Sequence, residues 1–225
     1  MREPSPATWP LYYQPPPDGS LRGIRRDALD AIQEVNEHFL DLLCQAAAGA
    51  GPGFPLAGPL RTRLAALQAS QRSQAAQCGV LLADAGFSDR QRWSDSVHEP
   101  CNEYAPSREA NWLSDEQAMS LAHSTLLIAW HVVQASPVVA SVLLGMPYPS
   151  AIAYAQLSVK DLAYIARRHS NWIQPRWQRR PEIWSSILDL ATDESDVDSV
   201  RVTLRCLQLS GGHAPWLLPY VAIER

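Results

Sequence analysis

Apolar side chains recur at intervals of three and four residues from Asp27 onward, the spacing that places them on one face of an α-helix. In the first such segment this face consists of Leu29, Ile32, Val35, Phe39, Leu42 and Leu43. A cluster of glycine and proline between residues 49 and 55 ends the predicted helix. A second helical run is predicted from Pro59 to Gly86.

The second half of the chain begins with a helix start signal. Ser114 is followed three residues later by Gln117, the spacing of a capping box, and an apolar stretch comes next. A long helix is therefore predicted from Asp115 to the residues before Pro137. Shorter helices are predicted over VVASVLLG, PSAIAYAQ, VKDLAYIARRH and RPEIWSSILDLA. The segment VRVTLRCLQL alternates enough to be compatible with a strand, but we predict a helix there.

These elements divide the chain into four regions and predict an all-α fold, a helical bundle. Residues 1–26 are proline-dense and predict an extended arm. Residues 27–93 form a first helical unit, and residues 94–113 lack periodicity and predict a connector. Residues 114–225 form a second helical unit that ends in a C-terminal helix and tail.

The two helical units agree with each other when one is laid over the other with an offset of ninety residues. The paired positions are Leu67 with Leu157, Ala76 with Ala166, Leu82 with Trp172, Phe87 with Trp177 and, after one inserted residue, Trp93 with Trp184. This agreement predicts a duplicated unit that forms a pseudo-dimer within one chain. Chance agreement between the apolar positions of unrelated helices is the alternative explanation.

Residues 123–177 read HSTLLIAWHVVQASPVVASVLLGMPYPSAIAYAQLSVKDLAYIARRHSNWIQPRW. After a long apolar helix, the distinctive positions are Leu144-Gly145, Leu157-Ser158 at a helix start, Leu162, Ala166, Trp172 and Trp177. In these features the segment resembles the flagellar transcriptional activator subunit FlhD over most of that small protein, almost without gaps. The matching positions are mainly packing residues, so the resemblance predicts a shared fold more strongly than a shared role.

The resemblance to FlhD carries expectations about assembly and function. It implies an all-helical fold, a homodimer, and activation of transcription together with an FlhC-like protein partner, a zinc-containing DNA-binding subunit. Contact with DNA is then expected through the complex. This chain is about twice as long as FlhD, and its first half matches that family much less well. A duplicated unit would account for the additional length.

Composition narrows the class of protein without naming a function. Apolar residues make up 46% of the 225 residues and the formal net charge is -4, as in an ordinary globular protein. The four cysteines lack the paired spacing of a zinc cluster or a disulfide framework. The N-terminus has no apolar run after its charges, and no window has the roughly 18 apolar residues of a membrane span. We expect a cytoplasmic protein with no membrane contact.

The densest basic cluster interleaves arginine with tryptophan and is a candidate contact for DNA or for an acidic partner. Its candidate contact residues are Arg167, Arg168, Arg176, Trp177, Arg179 and Arg180, and Trp172 and Trp184 lie beside them in the sequence. Arginine binds phosphate and tryptophan stacks or anchors, which is why this combination is typical of such contacts. The alternative is that the tryptophans belong to the core and the arginines form a solvated face, paired with acidic residues between positions 189 and 198.

A second candidate contact is apolar and lies on the long helix of the second unit. Leu126, Leu127, Trp130 and Val133 share spacing that favours one face, which we predict to be covered by the core or by an oligomer interface.

Motifs of catalysis and metal binding are missing from the sequence. There is no H-E-x-x-H, G-x-S-x-G, phosphate loop or dinucleotide fingerprint. We therefore expect neither enzymatic activity nor a cofactor or metal. The resemblance to FlhD implies a subunit of a transcriptional regulator that acts on DNA in a homo- or hetero-oligomer. The alternative is a non-catalytic helical adaptor that binds only protein.

Overall fold

The computed structural model describes residues 20–49, 53–96 and 112–191, and most of these residues are helical. The helices are α1 Ser20–Ala48, α2 Gly58–Ala65, α3 Ala69–Ala76, α4 Arg90–Ser96, α5 Asp115–Ala135, α6 Pro137–Leu143, α7 Tyr148–Ala155, α8 Val159–Arg168 and α9 Pro181–Leu190, with a 3-10 turn at Ser170–Trp172. Two short strands, β1 Ala83–Asp84 and β2 Gln174–Pro175, pair antiparallel. The prediction of an all-α fold is confirmed.

Several predicted regions lie outside the described residues. These are most of the N-terminal arm, the central part of the connector, the predicted C-terminal helix and the tail.

The helix starts predicted between residues 114 and 181 are confirmed, and local chemistry explains those of α5 and α6. The Oγ of Ser114 accepts a hydrogen bond from the backbone N–H of Gln117, and the Gln117 side chain accepts one from the backbone N–H of Ser114. This capping box satisfies two groups that the first turn of α5 leaves without helical partners. Ser136 then ends α5 in an extended conformation and caps α6, with Pro137 in the first turn.

The first half departs from the sequence prediction in two places. Helix α1 begins at Ser20 and not at Asp27, because the intervening residues LRGIRR contain no proline and are mostly helix-compatible. The run from Pro59 to Gly86 is not one helix. A second capping box at Gln68 starts α3, and Gly79, in the left-handed region at φ 70°, follows the end of α3. The chain then enters β1, which at two residues is too short to produce an alternating pattern.

One continuous core joins the two halves. Helix α5 packs against α1, α6, α7 and α8, while α4 packs against α7 and α9 packs against α2. The largest fully buried side chains include Trp93, Trp184, Tyr154, Phe39 and Phe87. The ring of Trp93 meets Tyr154 edge-on with centroids 4.8 Å apart, a geometry that adds to the stability gained from burial. The two predicted units therefore share their hydrophobic core.

A buried asparagine positions the segment that leads into β1. The side chain of Asn36 is fully buried, and its Nδ2 donates to the carbonyl oxygens of Ala76 and Val80 at 3.1 and 2.8 Å. Its Oδ1 accepts from the backbone N–H of Leu82 at 2.9 Å. One amide thus satisfies three buried backbone groups. Helix α1 and the path of residues 76–82 are fixed relative to each other by these bonds.

None of the described helices is both long and apolar enough to cross a bilayer alone. Helices α6 and α7 reach that length and hydropathy only together, and the chain bends by 119° between them.

Replacement of Asn36 by leucine is expected to destabilise the protein strongly. Leucine has the branching of asparagine but a larger volume, and it leaves buried carbonyl and N–H groups of residues 76–82 without their amide partner, at about 1–3 kcal/mol for each such group. The control is Gln33→Leu in the same helix, where a partly buried amide donates to Glu37. We expect the Asn36 variant to lose about 3 kcal/mol or more, and the control to lose about 0.5 kcal/mol, in urea unfolding followed by circular dichroism. Equal losses in the two variants would contradict the role of Asn36.

Candidate interaction surface

Two of the predicted contact residues lie in the last turn of α8. Arg167 is exposed, and its Nε donates to the carbonyl of Ala163 at 3.2 Å. Arg168 is partly buried along Tyr164, whose hydroxyl lies 3.3 Å from its Nη1. Cationic side chains at this end of a helix interact favourably with the helix dipole. The Arg167 side chain is therefore accessible from outside, whereas the Arg168 guanidinium contacts Tyr164 of the same helix.

Trp172 is a packing residue. His169 stacks on its ring with centroids 4.0 Å apart and planes at 12°, and the guanidinium carbon of Arg92 lies 4.3 Å from the ring centroid. The ring of Trp93 is perpendicular to the ring of Trp172, with the two centroids 5.8 Å apart. Trp184 is also fully buried. The alternative that the tryptophans belong to the core therefore applies to Trp172 and Trp184.

A polar cleft of about 520 Å³ opens beside this stack. Side chains from β1, α4, the 3-10 turn and β2 line it, among them Asp84, Arg92, His169 and Gln174. The Oδ1 of Asp84 accepts from the backbone N–H groups of Gly86 and Phe87, which orients the carboxylate at the rim. Sequence reasoning missed Asp84 and Arg92. No local signal marks them, because they reach the cleft only through the pairing of β1 with β2.

Arg176 is not a surface residue, and its predicted role as an external contact is wrong. It is only 7% exposed, and its Nη1 donates to the carbonyl oxygens of Leu81 and Leu143 at 3.3 and 3.1 Å. Its backbone N–H donates to the carbonyl of Leu82 at 2.8 Å. Gly145 makes room for it, since a Cβ there would lie 2.0 Å from its Nη2. The charge is held by buried carbonyl dipoles and is directed away from solvent.

Trp177 adopts an unusual backbone conformation. Its φ of 55° lies in the left-handed region, which costs an L-residue roughly 1–2 kcal/mol. The ring is partly buried, with the Arg176 guanidinium carbon 4.5 Å from its centroid. The backbone N–H of Arg180 donates to the carbonyl of Trp177 at 2.8 Å and closes the turn. Residues 177–180, which we call the basic turn, are thus fixed in position.

The basic turn carries two exposed arginines. Arg180 forms an ion pair with Glu182 at 2.9 Å, and Arg179 is exposed. The acidic residue Asp189 pairs with Arg63 on α2 at 2.7 Å. The acidic residues between positions 193 and 198 lie outside the described residues. Of the predicted set, Arg167, Arg179 and Arg180 are exposed at the surface.

The predicted apolar face of α5 is covered mainly within the chain. Leu126 and Val133 are buried, whereas Leu127 and Trp130 are partly buried and pack against the same core. The indole Nε1 of Trp130 donates to the carbonyl of Leu157 at 2.8 Å, which ties α5 to the start of α8. These four residues thus contribute to the core of the chain.

Cysteine and histidine side chains do not form a metal-binding cluster in the part of the chain that the structure describes. Within residues 20–49, 53–96 and 112–191, no three His, Cys, Asp or Glu side chains come together as a metal site requires. Cys44 and Cys78 are buried. Burial raises the pKa of the Cys44 thiol to about 11, partly offset by the positive charge of Arg72.

Alanine at position 176 is expected to destabilise the fold, whereas alanine at position 179 is not. Loss of the Arg176 guanidinium removes a donor from the carbonyls of Leu81 and Leu143, and the Leu143 carbonyl keeps only the backbone N–H of Leu81. We expect this loss to cost about 2–4 kcal/mol in chemical unfolding. Arg179→Ala is the control, because it removes the same side chain three residues away from Arg176. Arg179 is exposed, so this variant should unfold like the wild type. A wild-type unfolding midpoint for Arg176→Ala would show that the buried placement is incorrect.

Cys44 is expected to resist alkylation in the folded protein. A thiol with a pKa near 11 is almost entirely protonated at neutral pH, and only the thiolate is nucleophilic. In a variant with Cys101 and Cys206 replaced by serine, iodoacetamide should label neither remaining cysteine in native buffer and both in urea. Mass spectrometry of the labelled protein gives the count. Rapid native labelling at Cys44 would contradict its burial.

Known proteins give no independent guide to this surface. Comparison of the chain with protein-family models, with curated proteins and with solved structures finds no significant match. The resemblance to FlhD therefore depends on the residues quoted for it in the sequence, and function has to be argued from the surface itself.

Proposed function

We propose that this chain is a non-catalytic subunit of a transcriptional regulator, which acts in the cytoplasm and contacts DNA as part of a homo- or hetero-oligomer. The observation that carries the proposal is the exposed position of Arg167, Arg179 and Arg180, within and directly after the segment that resembles FlhD. Surface arginines that contact DNA neutralise its phosphates and release the counterions bound to them. An FlhC-like subunit is the partner that the resemblance implies.

The scaffold behind these arginines supports a role in positioning. The basic turn begins directly after Arg176, whose guanidinium is bonded to Leu81 and Leu143. The indole Nε1 of Trp184 donates to the carbonyl of Arg176 at 2.7 Å from the other side. A fixed backbone loses little conformational entropy on binding, although each exposed arginine side chain still has to be ordered. The core thus fixes the backbone from which Arg179 and Arg180 extend.

A second candidate function is a protein-binding adaptor. Tyr148, Ile152 and Val159 on α7 and α8 are large apolar side chains that are between 42% and 50% exposed. Residues 148 and 152 are one helical turn apart and therefore lie on one face of α7. Exposed aromatic and aliphatic side chains are typical anchors of protein interfaces. This observation favours a protein partner beside or instead of DNA.

The salt dependence of DNA binding tests the proposal. In Arg167→Ala/Arg179→Ala/Arg180→Ala, loss of three phosphate contacts should flatten the slope of log K against log salt by about 2.7, at about 0.9 per contact. The slope is measured by fluorescence anisotropy with a labelled duplex. Folding should be preserved, since exposed charges contribute little stability.

The control removes the same charge elsewhere. Arg63, Arg72 and Lys160 lie on α2, α3 and the first turn of α8, and their triple alanine variant should keep the wild-type slope more closely. Equal effects of both variants would show that only net charge matters, which argues against a contact at the proposed site. If the first variant keeps its DNA affinity but fails to bind a protein partner that the wild type binds, the chain is an adaptor.

A further inference from the structure

The elements of the two halves recur at a nearly constant distance along the chain. Helices α2 and α7 start ninety residues apart, and so do α3 and α8. Strands β1 and β2, and helices α4 and α9, start ninety-one residues apart, because one residue is inserted before β2. Both α2 and α7 carry proline in the first turn, at Pro59 and Pro149. Order and spacing therefore agree for these four pairs of elements, whereas α1 and α5 start ninety-five residues apart and α6 has no counterpart among the described residues of the first half.

The strand pairing has the register that a two-fold axis requires. Ala83 pairs with Pro175, and Asp84 pairs with Gln174. At a spacing of ninety-one residues, Gln174 corresponds to Ala83 and Pro175 corresponds to Asp84. Exchanging each residue for its counterpart therefore turns the pair Ala83–Pro175 into the pair Gln174–Asp84. A contact that is unchanged by this exchange is isologous.

The terminal helices of the halves are exchanged in the same reciprocal way. Helix α4 of the first half packs on α7 of the second, and α9 of the second half packs on α2 of the first. Trp93 on α4 and Trp184 on α9 are counterparts, and both are fully buried. A single two-fold axis between β1 and β2 accounts for the strand register and for both helix contacts.

The turn after each strand has a residue with positive φ at the same position. The inserted residue makes Gly86 the counterpart of Trp177, in place of Phe87, and their φ angles are 74° and 55°. Glycine adopts this left-handed conformation without penalty, whereas tryptophan does not. Strained non-glycine residues cluster at functional sites. The second half therefore keeps a costly aromatic residue where the first half has the residue that suits the backbone.

The three exposed arginines of the candidate surface have no basic counterparts in the first half. Arg90 is also exposed, but it lies on α4 at the position that corresponds to Pro181. The counterparts of Arg167, Arg179 and Arg180 are Gln77, Ser88 and Asp89. Gln77, Ser88 and Asp89 are exposed as well, so burial does not account for the missing charges. Asp89 also caps α4, since its Oδ1 accepts from the backbone N–H of Arg92 at 3.2 Å. The two sets of positions are thus equally exposed, but only the second half has positively charged side chains there.

We propose that the chain is a fused pseudo-dimer with one contact surface, so that each chain engages the phosphate backbone of one DNA duplex at one place. This inference rests on the proposed function for the choice of DNA. A symmetric dimer contacts two half-sites, and the symmetry of its operator reflects that of the protein. A pseudo-dimer that carries the basic turn once has a single region of phosphate contact per chain.

The architecture is tested without DNA by distance measurement on the full chain. Cys101 and Cys206 are replaced by serine, and spin labels are attached to cysteines placed at residues 77 and 179 in one variant and at 88 and 167 in another. A two-fold axis exchanges these two pairs, so double electron-electron resonance should give the same distance for both. All four positions are exposed, which makes folded variants the expected outcome. Clearly different distances would overturn the pseudo-dimer.

The one-sided surface is tested by transplanting the charges. Gln77→Arg/Ser88→Arg/Asp89→Asn gives the first half counterparts of two arginines and keeps a capping residue at position 89. Titration with a duplex of about ten base pairs, one helical turn, is followed by calorimetry and sedimentation. We expect one duplex per chain for the wild type and two for the variant.

The outcomes separate the inference from the proposed function. If the wild type binds no duplex under conditions where the spin labels confirm the two-fold axis, the choice of DNA fails, and with it both the proposed function and the single DNA site. If the wild type binds two duplexes per chain, or if the variant still binds one, the one-sided surface is wrong while DNA binding stands. The matched control Gln77→Ala/Ser88→Ala should still bind one duplex per chain.

Discussion

The backbone of residues 80–82 is the point at which the two halves of the molecule are joined. From α1, Asn36 binds the carbonyl of Val80 and the N–H of Leu82. From the end of β2, Arg176 binds the carbonyls of Leu81 and Leu82, and the N–H of Leu81 donates to Leu143 at the end of α6. Backbone groups in a dry interior need such partners, because each unsatisfied one costs more than an ordinary hydrogen bond contributes.

This constraint explains why an arginine is buried where a hydrophobic residue would cost less desolvation. A guanidinium has several donors in a fixed plane, so it reaches the carbonyls of both Leu81 and Leu143. The left-handed Gly145 leaves space for it, since a side chain there would collide with its Nη2. The penalty of burying the charge is offset by these bonds only if both halves keep their relative position. Arg176 therefore favours one arrangement of the halves over others.

The same residue connects the core to the surface. Three residues after the buried Arg176, the exposed Arg179 lies on a turn that begins in a left-handed conformation at Trp177. Trp184 binds the carbonyl of Arg176 and so holds the start of the turn against α9. A change in the packing of Leu81 or Leu143 would move the exposed charges, which makes the surface dependent on the core.

Local chemistry in the sequence determined the helical fold and most helix starts of the second half. Helical periodicity also predicted that Leu126 and Val133 are covered. Capping boxes, prolines and helical periodicity act within a few residues, so Ser114 and Pro137 mark boundaries without any knowledge of the rest of the chain. The break between α2 and α3 and the two short strands left too little local signal. The composition of the basic cluster was also visible, but the environment of each member was not.

Only the tertiary structure decided which arginine is structural and which is exposed. Arg176 and Arg179 lie three residues apart in the same basic segment, and nothing in their neighbours separates them. The carbonyls that bury Arg176 come from residues 95 and 33 positions away. Asp84 and Arg92 likewise line one cleft with His169, which lies far away in the sequence, because β1 pairs with β2. Burial depends on what the fold brings near a side chain, and that information is distributed over the whole chain.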